Sequence, residues 1–461
     1  MVRFTLFHTV LCMLFHSGEP RYEGYQLIRV HSGCEEARRS ILQLEKTQQN
    51  MYDIWSVPRT TSAPFYLSVA PEGLENLKNL IGRYNLSYTI LQDDLSKEIA
   101  RQSQRRYVTQ LRRTRRSLWR TEHDAYRTVE EIYEAIDRHG RQHSFVNIET
   151  LGYTEEGRPL KSLFISKDKS KPIIWIDAGI HAREWIAPAA ALYFVDRLLT
   201  RTGQALLRDY QFHILPLVNP DGYAHTHRVD RLWRKNRSHS AGERCLGVDL
   251  NRNFPLKWGT GDGSSPQACT EVYRGIKPAS ELETQGIIHR LTELRGKLIL
   301  YLSLHSFGQY ILTPYGFARY QYPKNYKNMI NMGHRIRKAI RERHGFVYQV
   351  GSSSDLLYEA AGGSDDFVAG ELGVQYAYTI ELCDEGRYGF LLPPSYIRSV
   401  GRQLWTALPL LQLKAGGGSA DENETSAQLK THENGHDLRN ESSVIVYEQS
   451  LLKGAASSMP R

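Results

Sequence analysis

The sequence predicts an α/β protein with a mixed, largely parallel sheet covered by helices, preceded by a small α+β domain. Two observations carry the larger part. Apolar runs such as KPIIWIDAGI (171–180) and KLILYLSLHS (297–306) are too continuous for half-exposed strands. Helical text such as APAAALYFVDRLL (187–199) and YKNMINMGHRIRKAIRERHG (326–345) alternates with them. Strands buried on both faces, with helices between them, make a parallel sheet with helices on either side. The smaller part rests on residues 23 to about 95. There GYQLIRV, PFYLSVA and YTILQDD read as strands, and EEARRSILQLEKT and EGLENLKNLIGRY as amphipathic helices.

In chain order, MVRFTLFHTVLCMLFHSG (1–18) has an early Arg3, an apolar stretch and then small residues, the form of a signal peptide. No later run is long and apolar enough to span a membrane, so a secreted, extracellular chain with no membrane partner is expected. Cys12 leaves with the signal peptide, and the other four cysteines allow three pairings. Cys245 and Cys269 bracket a loop rich in Gly, Asn and Ser, so a disulfide closing it is expected in an oxidising compartment. Sequons at Asn85, Asn236, Asn423 and Asn440 fit secretion.

Four zones follow: a small domain at 23–100, an Arg-rich linker at 101–116, a large domain at 117–413 and a polar tail at 414–461. The tail is rich in Gly, Ser, Asn and Glu with few aromatics, a composition that predicts disorder. The net charge of +9 suggests nucleic acid, but residues 101–120 hold eight Arg and no Lys, Asp or Glu. The excess is thus one local segment rather than a basic face, and no nucleic-acid role is expected. RTRR (113–116) in that segment has the form cut by trypsin-like or furin-like proteases, and exposed linkers are where proteases nick. It reads as an activation site, with Ser117 near the new N-terminus.

Three apolar strands of the large domain run out at residues that a strand does not choose for packing: His181, His305 and Glu381. Glu184 lies three residues past His181. In open α/β sheets, ligands bind at the carboxyl ends of the strands, so one edge can gather two His and two Glu. Any one of them alone reads as a satisfied histidine or a capping glutamate; the recurrence of one topological position favours a metal. Two imidazoles and one carboxylate form a three-ligand zinc site with a fourth position open to water, and the remaining carboxylate is left as a general base.

With these residues in place, the chain resembles the secreted zinc metallocarboxypeptidases of the A/B type, which carry an N-terminal prodomain. The resemblance covers residues 23 to about 412 and rests on HAREWIAP (181–188), LVNPDGY (217–223), LWRKNRS (232–238), GVDLNRNF (247–254), SLHSFGQ (303–309), YEAAGGSDDF (358–367) and IELCDEGRYGFLLPPS (380–395). It implies one zinc ion held by His181, Glu184 and His305, with Glu381 as general base and Arg234 steadying the oxyanion. It further implies that Asn251 and Arg252 grip the substrate's terminal carboxylate, Tyr358 closes over it, and Arg183 lines the next subsite. Substrates are then peptide or protein C-termini. The prodomain shields the cleft until the linker is cut, and the enzyme is expected as a monomer. Cys383 stands where the family commonly has Arg.

Seven residues after the loop tyrosine the family places the floor of its specificity pocket, here Asp365. A buried carboxylate needs a cation, which a substrate Lys or Arg supplies. The resemblance therefore points to the B-type subgroup. The alternatives are A-type preference for apolar C-termini, with Asp365 a turn residue beside Asp366 or a helix cap, or a weakly active protein that captures basic C-termini.

Overall fold

The computed structural model describes residues 22–103, 123–239, 242 and 245–407. The expected signal peptide, most of the Arg-rich linker with its RTRR site, and the polar tail lie outside the described residues.

The small domain is a four-stranded antiparallel sheet, in the order β2-β3-β1-β4, with two helices on one face. Its elements run β1 (Gln26–His31), α1 (Glu35–Thr47), β2 (Tyr52–Ser56), β3 (Pro64–Val69), α2 (Leu74–Tyr84) and β4 (Tyr88–Gln92). Ile28, Val30, Phe65, Leu67 and Val69 from the sheet meet Ile41, Leu44, Leu77 and Ile81 from the helices in one core. Helix α1 begins at Cys34, whose Sγ accepts from Ala37 N, and carries Glu35 and Glu36 in its first turn, where the helix dipole favours them.

The large domain is built on an eight-stranded sheet in the order β11-β10-β12-β9-β7-β8-β6-β5. Its elements are α3 (Val129–Gln142), β5 (Val146–Tyr153), β6 (Pro159–Ile165), β7 (Ile173–Ala178), α4 (Ile186–Leu198), β8 (Gln211–Leu215), α5 (Pro220–Arg228), α6 (Leu282–Glu293), β9 (Leu298–Ser306), β10 (Tyr310–Thr313), α7 (Tyr326–His344), β11 (Gln349–Ser352), α8 (Ser364–Gly370), β12 (Tyr376–Leu382) and α9 (Ile397–Ala407). The four central strands, β8, β7, β9 and β12, are parallel, while β5, β6 and β10 add antiparallel pairings towards the edges. The expected mixed, largely parallel sheet is therefore present. Alternate residues of β7 enter opposite cores: Ile174 and Ile176 meet α4 and α9, whereas Ile173 and Trp175 meet α6 and α8. That two-sided burial is the reason the strand reads as an unbroken apolar run.

Cys245 and Cys269 form the expected disulfide. Among the described residues, Cys34 and Cys383 form no disulfide. Cys383 is buried against the side-chain amides of Gln309 and Gln403, so the position that commonly holds Arg carries an uncharged thiol turned into the protein.

Candidate active site

Strands β7, β9 and β12 deliver the predicted residues to one edge of the sheet. β7 stops at Ala178, three residues short of His181, and Gly179 turns the chain at φ +67°. A Cβ at Gly179 would lie 2.8 Å from Pro188 Cγ, so only glycine fits this turn into α4. His181 and Glu184 then fall in the turn before α4. His305 lies inside β9 and Glu381 inside β12, paired with each other in the parallel register.

The three expected metal ligands converge, with donor atoms all within 4.8 Å of one another. His181 Nδ1 is 2.8 Å from Glu184 Oε1. His305 Nδ1 is 3.2 Å from both His181 Nδ1 and Glu184 Oε2. Two imidazole nitrogens and a carboxylate converge on one point, and without a metal the proton on His305 is what offsets their facing lone pairs. One cation satisfies them all, and the donor set of two nitrogens and one carboxylate suits zinc. Burial and Arg234 lower the His181 imidazole. Burial would also lower His305, but the Glu184 carboxylate outweighs it and raises that imidazole to about 9. Burial raises the Glu381 carboxyl, with Glu184 adding to it against the pull of His305, and Glu381 Oε2 has no hydrogen-bond partner among the described residues.

Around this cluster the other predicted residues divide into two groups. Arg234 donates through Nε and Nη2 to Asp249 Oδ2 at 3.2 and 2.9 Å. The Asn251–Arg252 pair lies in the short helical turn Leu250–Arg252. Arg252 Nη2 donates to the Tyr358 hydroxyl at 3.2 Å, and Asn251 Oδ1 accepts from Ser364 N at 3.0 Å. Asp365 sits in the first turn of α8, buried, and its carboxyl is raised by that burial. Arg234, Asn251, Arg252, Tyr358 and Asp365 line one cavity of about 2520 Å³, together with Gly363, Ser353 and Thr379. Arg183 also lines it, but its Nη1 is engaged by Asp53 of the small domain.

Two residues that sequence reading passed over belong to the site. Asp249 is fully buried. Its Oδ1 lies 3.1 Å from His181 Nε2 while its Oδ2 accepts from Arg234, so one carboxylate fixes a ligand ring and a cleft arginine together. Burial opposes its charge, yet Arg234 and Arg252 hold it well below the usual carboxylate range. Trp55 of the small domain packs against Phe307 and Phe390 at the rim and donates through Nε1 to Asp53.

A domain with this sheet, a metal-ligand cluster on its carboxyl edge and a second domain laid against the cleft belongs to the class of metallohydrolases made as precursors. A family model described as zinc carboxypeptidase matches residues 132–407, and one described as carboxypeptidase activation peptide matches residues 28–102. The chain belongs to the zinc carboxypeptidase family, whose members use one catalytic zinc ion. It is 31% identical to carboxypeptidase A1 of Mus musculus, covering 88% of this chain and 97% of that protein. It is 40% identical to carboxypeptidase B of Astacus astacus over 58% of this chain and 88% of that one. Among solved structures, thrombin activatable fibrinolysis inhibitor superposes with a TM-score of 0.76 at 32% identity, over 85% of this chain and 98% of that one.

Proposed function

We propose that this zinc carboxypeptidase removes C-terminal Lys and Arg, and that Asp365 selects them. The observation that carries the reading is a buried carboxylate lining the cleft that forms no ion pair among the described residues and has only the longer-range pull of the His305 imidazole to offset it. Its hydrogen-bonding contacts are the backbone N–H groups of Asp365 and Asp366 and the Thr379 hydroxyl, all neutral donors. A buried carboxyl left in that state is costly, and a substrate ammonium or guanidinium is the missing partner.

His181, Glu184 and His305 hold the zinc ion, which when bound acts as a Lewis acid and makes water nucleophilic near neutral pH. Glu381, with its free Oε2, takes the proton from the attacking water and returns it to the leaving amine. Arg234, steadied by Asp249, donates to the oxygen on which charge develops. Asn251 and Arg252 hold the terminal carboxylate, which limits cleavage to the last peptide bond, and Tyr358 covers it. Arg183 lines the subsite on the other side of the scissile bond.

The chain is a secreted monomeric zymogen with a prodomain at 23–100 and a catalytic domain at 117–413, in which a trypsin-like or furin-like protease cuts within 101–116. An activation-peptide family match supports the precursor form. No helix among the described residues is long and apolar enough to cross a membrane.

The test is hydrolysis by the trypsin-treated protein of peptides that differ only in their last residue, with and without a zinc chelator. Arg and Lys should exceed Phe and Leu in kcat/KM by about 100-fold, the worth of a buried charge pair. Asp365→Ile should remove that preference while leaving Phe turnover in place. A clear preference of the unmodified enzyme for Phe returns the A-type reading. Tight binding of Arg peptides without hydrolysis returns the capture protein.

A further inference from the structure

We propose that Asn85 of the small domain carries an N-linked glycan that shields the open edge of its sheet, and that Asn236 of the large domain remains bare. This rests on the reading that the chain enters the secretory pathway.

The two sequons are alike in sequence and opposite in surroundings. Asn236 is completely buried. Its Nδ2 donates to Glu281 Oε2 at 2.8 Å and Glu283 Oε2 at 3.2 Å, and its Oδ1 accepts from Val248 N at 2.7 Å. A sugar on Nδ2 replaces one of those protons and needs space that the packed interior does not offer, so a chain modified there cannot reach this fold. Asn85 is exposed and ends α2 in the left-handed region at φ 49°, which asparagine tolerates well. Ser87, the third residue of its sequon, is exposed as well.

The position has a physical use. β4 lies at the end of the sheet order and, among the described residues, pairs only with β1, so its other side is an open strand edge there. Tyr88 and Ile90 on that strand are each 43% exposed, large apolar side chains beside unpaired backbone groups. Such an edge templates pairing with other chains unless something covers it. Asn85 is three residues before Tyr88, at the end of β4 away from the catalytic domain. The other end is the one that docks, through Gln92 Nε2 to the carbonyl of Arg387 at 3.2 Å. A glycan at Asn85 therefore covers the edge without obstructing the interface.

The transfer itself balances simply. The Asn85 amide nitrogen forms a bond to C1 of the first sugar as the C1–O bond to the pyrophosphate of a lipid-linked oligosaccharide breaks. The nitrogen loses one proton, and the pyrophosphate leaves with the bonding pair.

The experiment is expression of the full chain in animal cells, enzymatic removal of glycans in heavy-oxygen water, and mapping of the converted asparagines by mass spectrometry. Conversion at Asn85 and none at Asn236 is expected. Asn85→Gln and Ser87→Ala should each abolish the Asn85 signal, raise the aggregated fraction and lower the secreted yield. Adding Ile90→Thr to Asn85→Gln should restore the yield. A secreted chain with a bare Asn85 or a modified Asn236 overturns the assignment alone. A chain retained in the cytosol without glycans overturns the secretory reading and the assignment with it. A monomeric, fully secreted Asn85→Gln variant overturns the shielding role.

Discussion

Asp53 and Arg183 bind the two domains together inside the cleft: Arg183 Nη1 donates to both Asp53 carboxylate oxygens, at 2.9 and 3.2 Å. The pair follows from the alternation of β2. Tyr52 and Ile54 point into the core of the small domain, which leaves Asp53 and Trp55 for the opposite face and the cleft. Arg183 is buried and stacks on Phe390, with its guanidinium 4.2 Å from the ring centre. Arg183, the arginine proposed to line a substrate subsite, is thus engaged by the small domain in the uncut chain.

Asp53→Ala should therefore raise the residual activity of the uncut chain. The Asp53 side chain is 24% exposed, so the pair is worth less than a fully buried one. About 1–2 kcal/mol, or roughly tenfold in rate, is expected. Activity after trypsin treatment should stay the same, because Asp53 leaves with the small domain. An uncut Asp53→Ala chain no more active than the unmodified one would show that the pair does not contribute to closure.

Asp249→Asn should lower zinc affinity or kcat/KM by about 10–100-fold, the usual effect of losing a carboxylate behind a metal-bound imidazole. The amide still fits the space but presents only one acceptor, and both His181 and Arg234 depend on this side chain. The measurement is zinc affinity by chelator competition alongside kcat/KM, with circular dichroism to confirm the fold. Unchanged values for both would remove Asp249 from the site.

Zinc binding should release a proton and weaken in acid. In the metal-free protein Glu184 holds the His305 imidazole at about 9, so His305 is protonated at neutral pH and its proton must leave when the metal enters. The sign is fixed: below about pH 9, each unit of acidification should lower the apparent affinity about tenfold. Competition titrations at about pH 6, 7 and 8 supply the slope, and a flat profile would contradict it. Chelation should abolish hydrolysis, and added zinc should restore it.

The metal cluster was legible because each ligand interrupts an apolar strand or directly follows one, a placement that packing alone does not produce. Helix α1 was legible over the whole of 35–47, since its apolar stripe and acidic first turn agree. β2 was not, because YDIWS lacks a polar face: one side fills the small domain's core and the other meets the large domain. β5 and β6 escaped for a related reason, as the antiparallel strands towards one edge of the sheet are buried less evenly and carry mixed patterns. Asp249 stands within GVDLNRNF with nothing in the sequence to mark it, and only the fold brings it behind His181. The Asn236 sequon reads like the one at Asn85 because three letters carry no information about burial.

Glu283 should make the protein less stable as pH rises. It sits in the first turn of α6, buried, with Oε2 accepting from Asn236 and Oε1 without a partner. Burial, with Glu281 close by, raises its carboxyl from 4.5 to about 8. The folded state therefore binds this proton more tightly than the unfolded chain, and stability falls between about pH 4.5 and pH 8 and levels off above. The shift corresponds to a loss on the order of 5 kcal/mol across that range. Glu283→Gln keeps the shape and cannot ionise, so it should flatten the slope and stabilise the protein at alkaline pH. Denaturant midpoints of both forms at about pH 5 and pH 8.5 decide the matter. The difference between the forms should grow with pH, and a constant difference would mean that Glu283 is ionised in the folded state throughout.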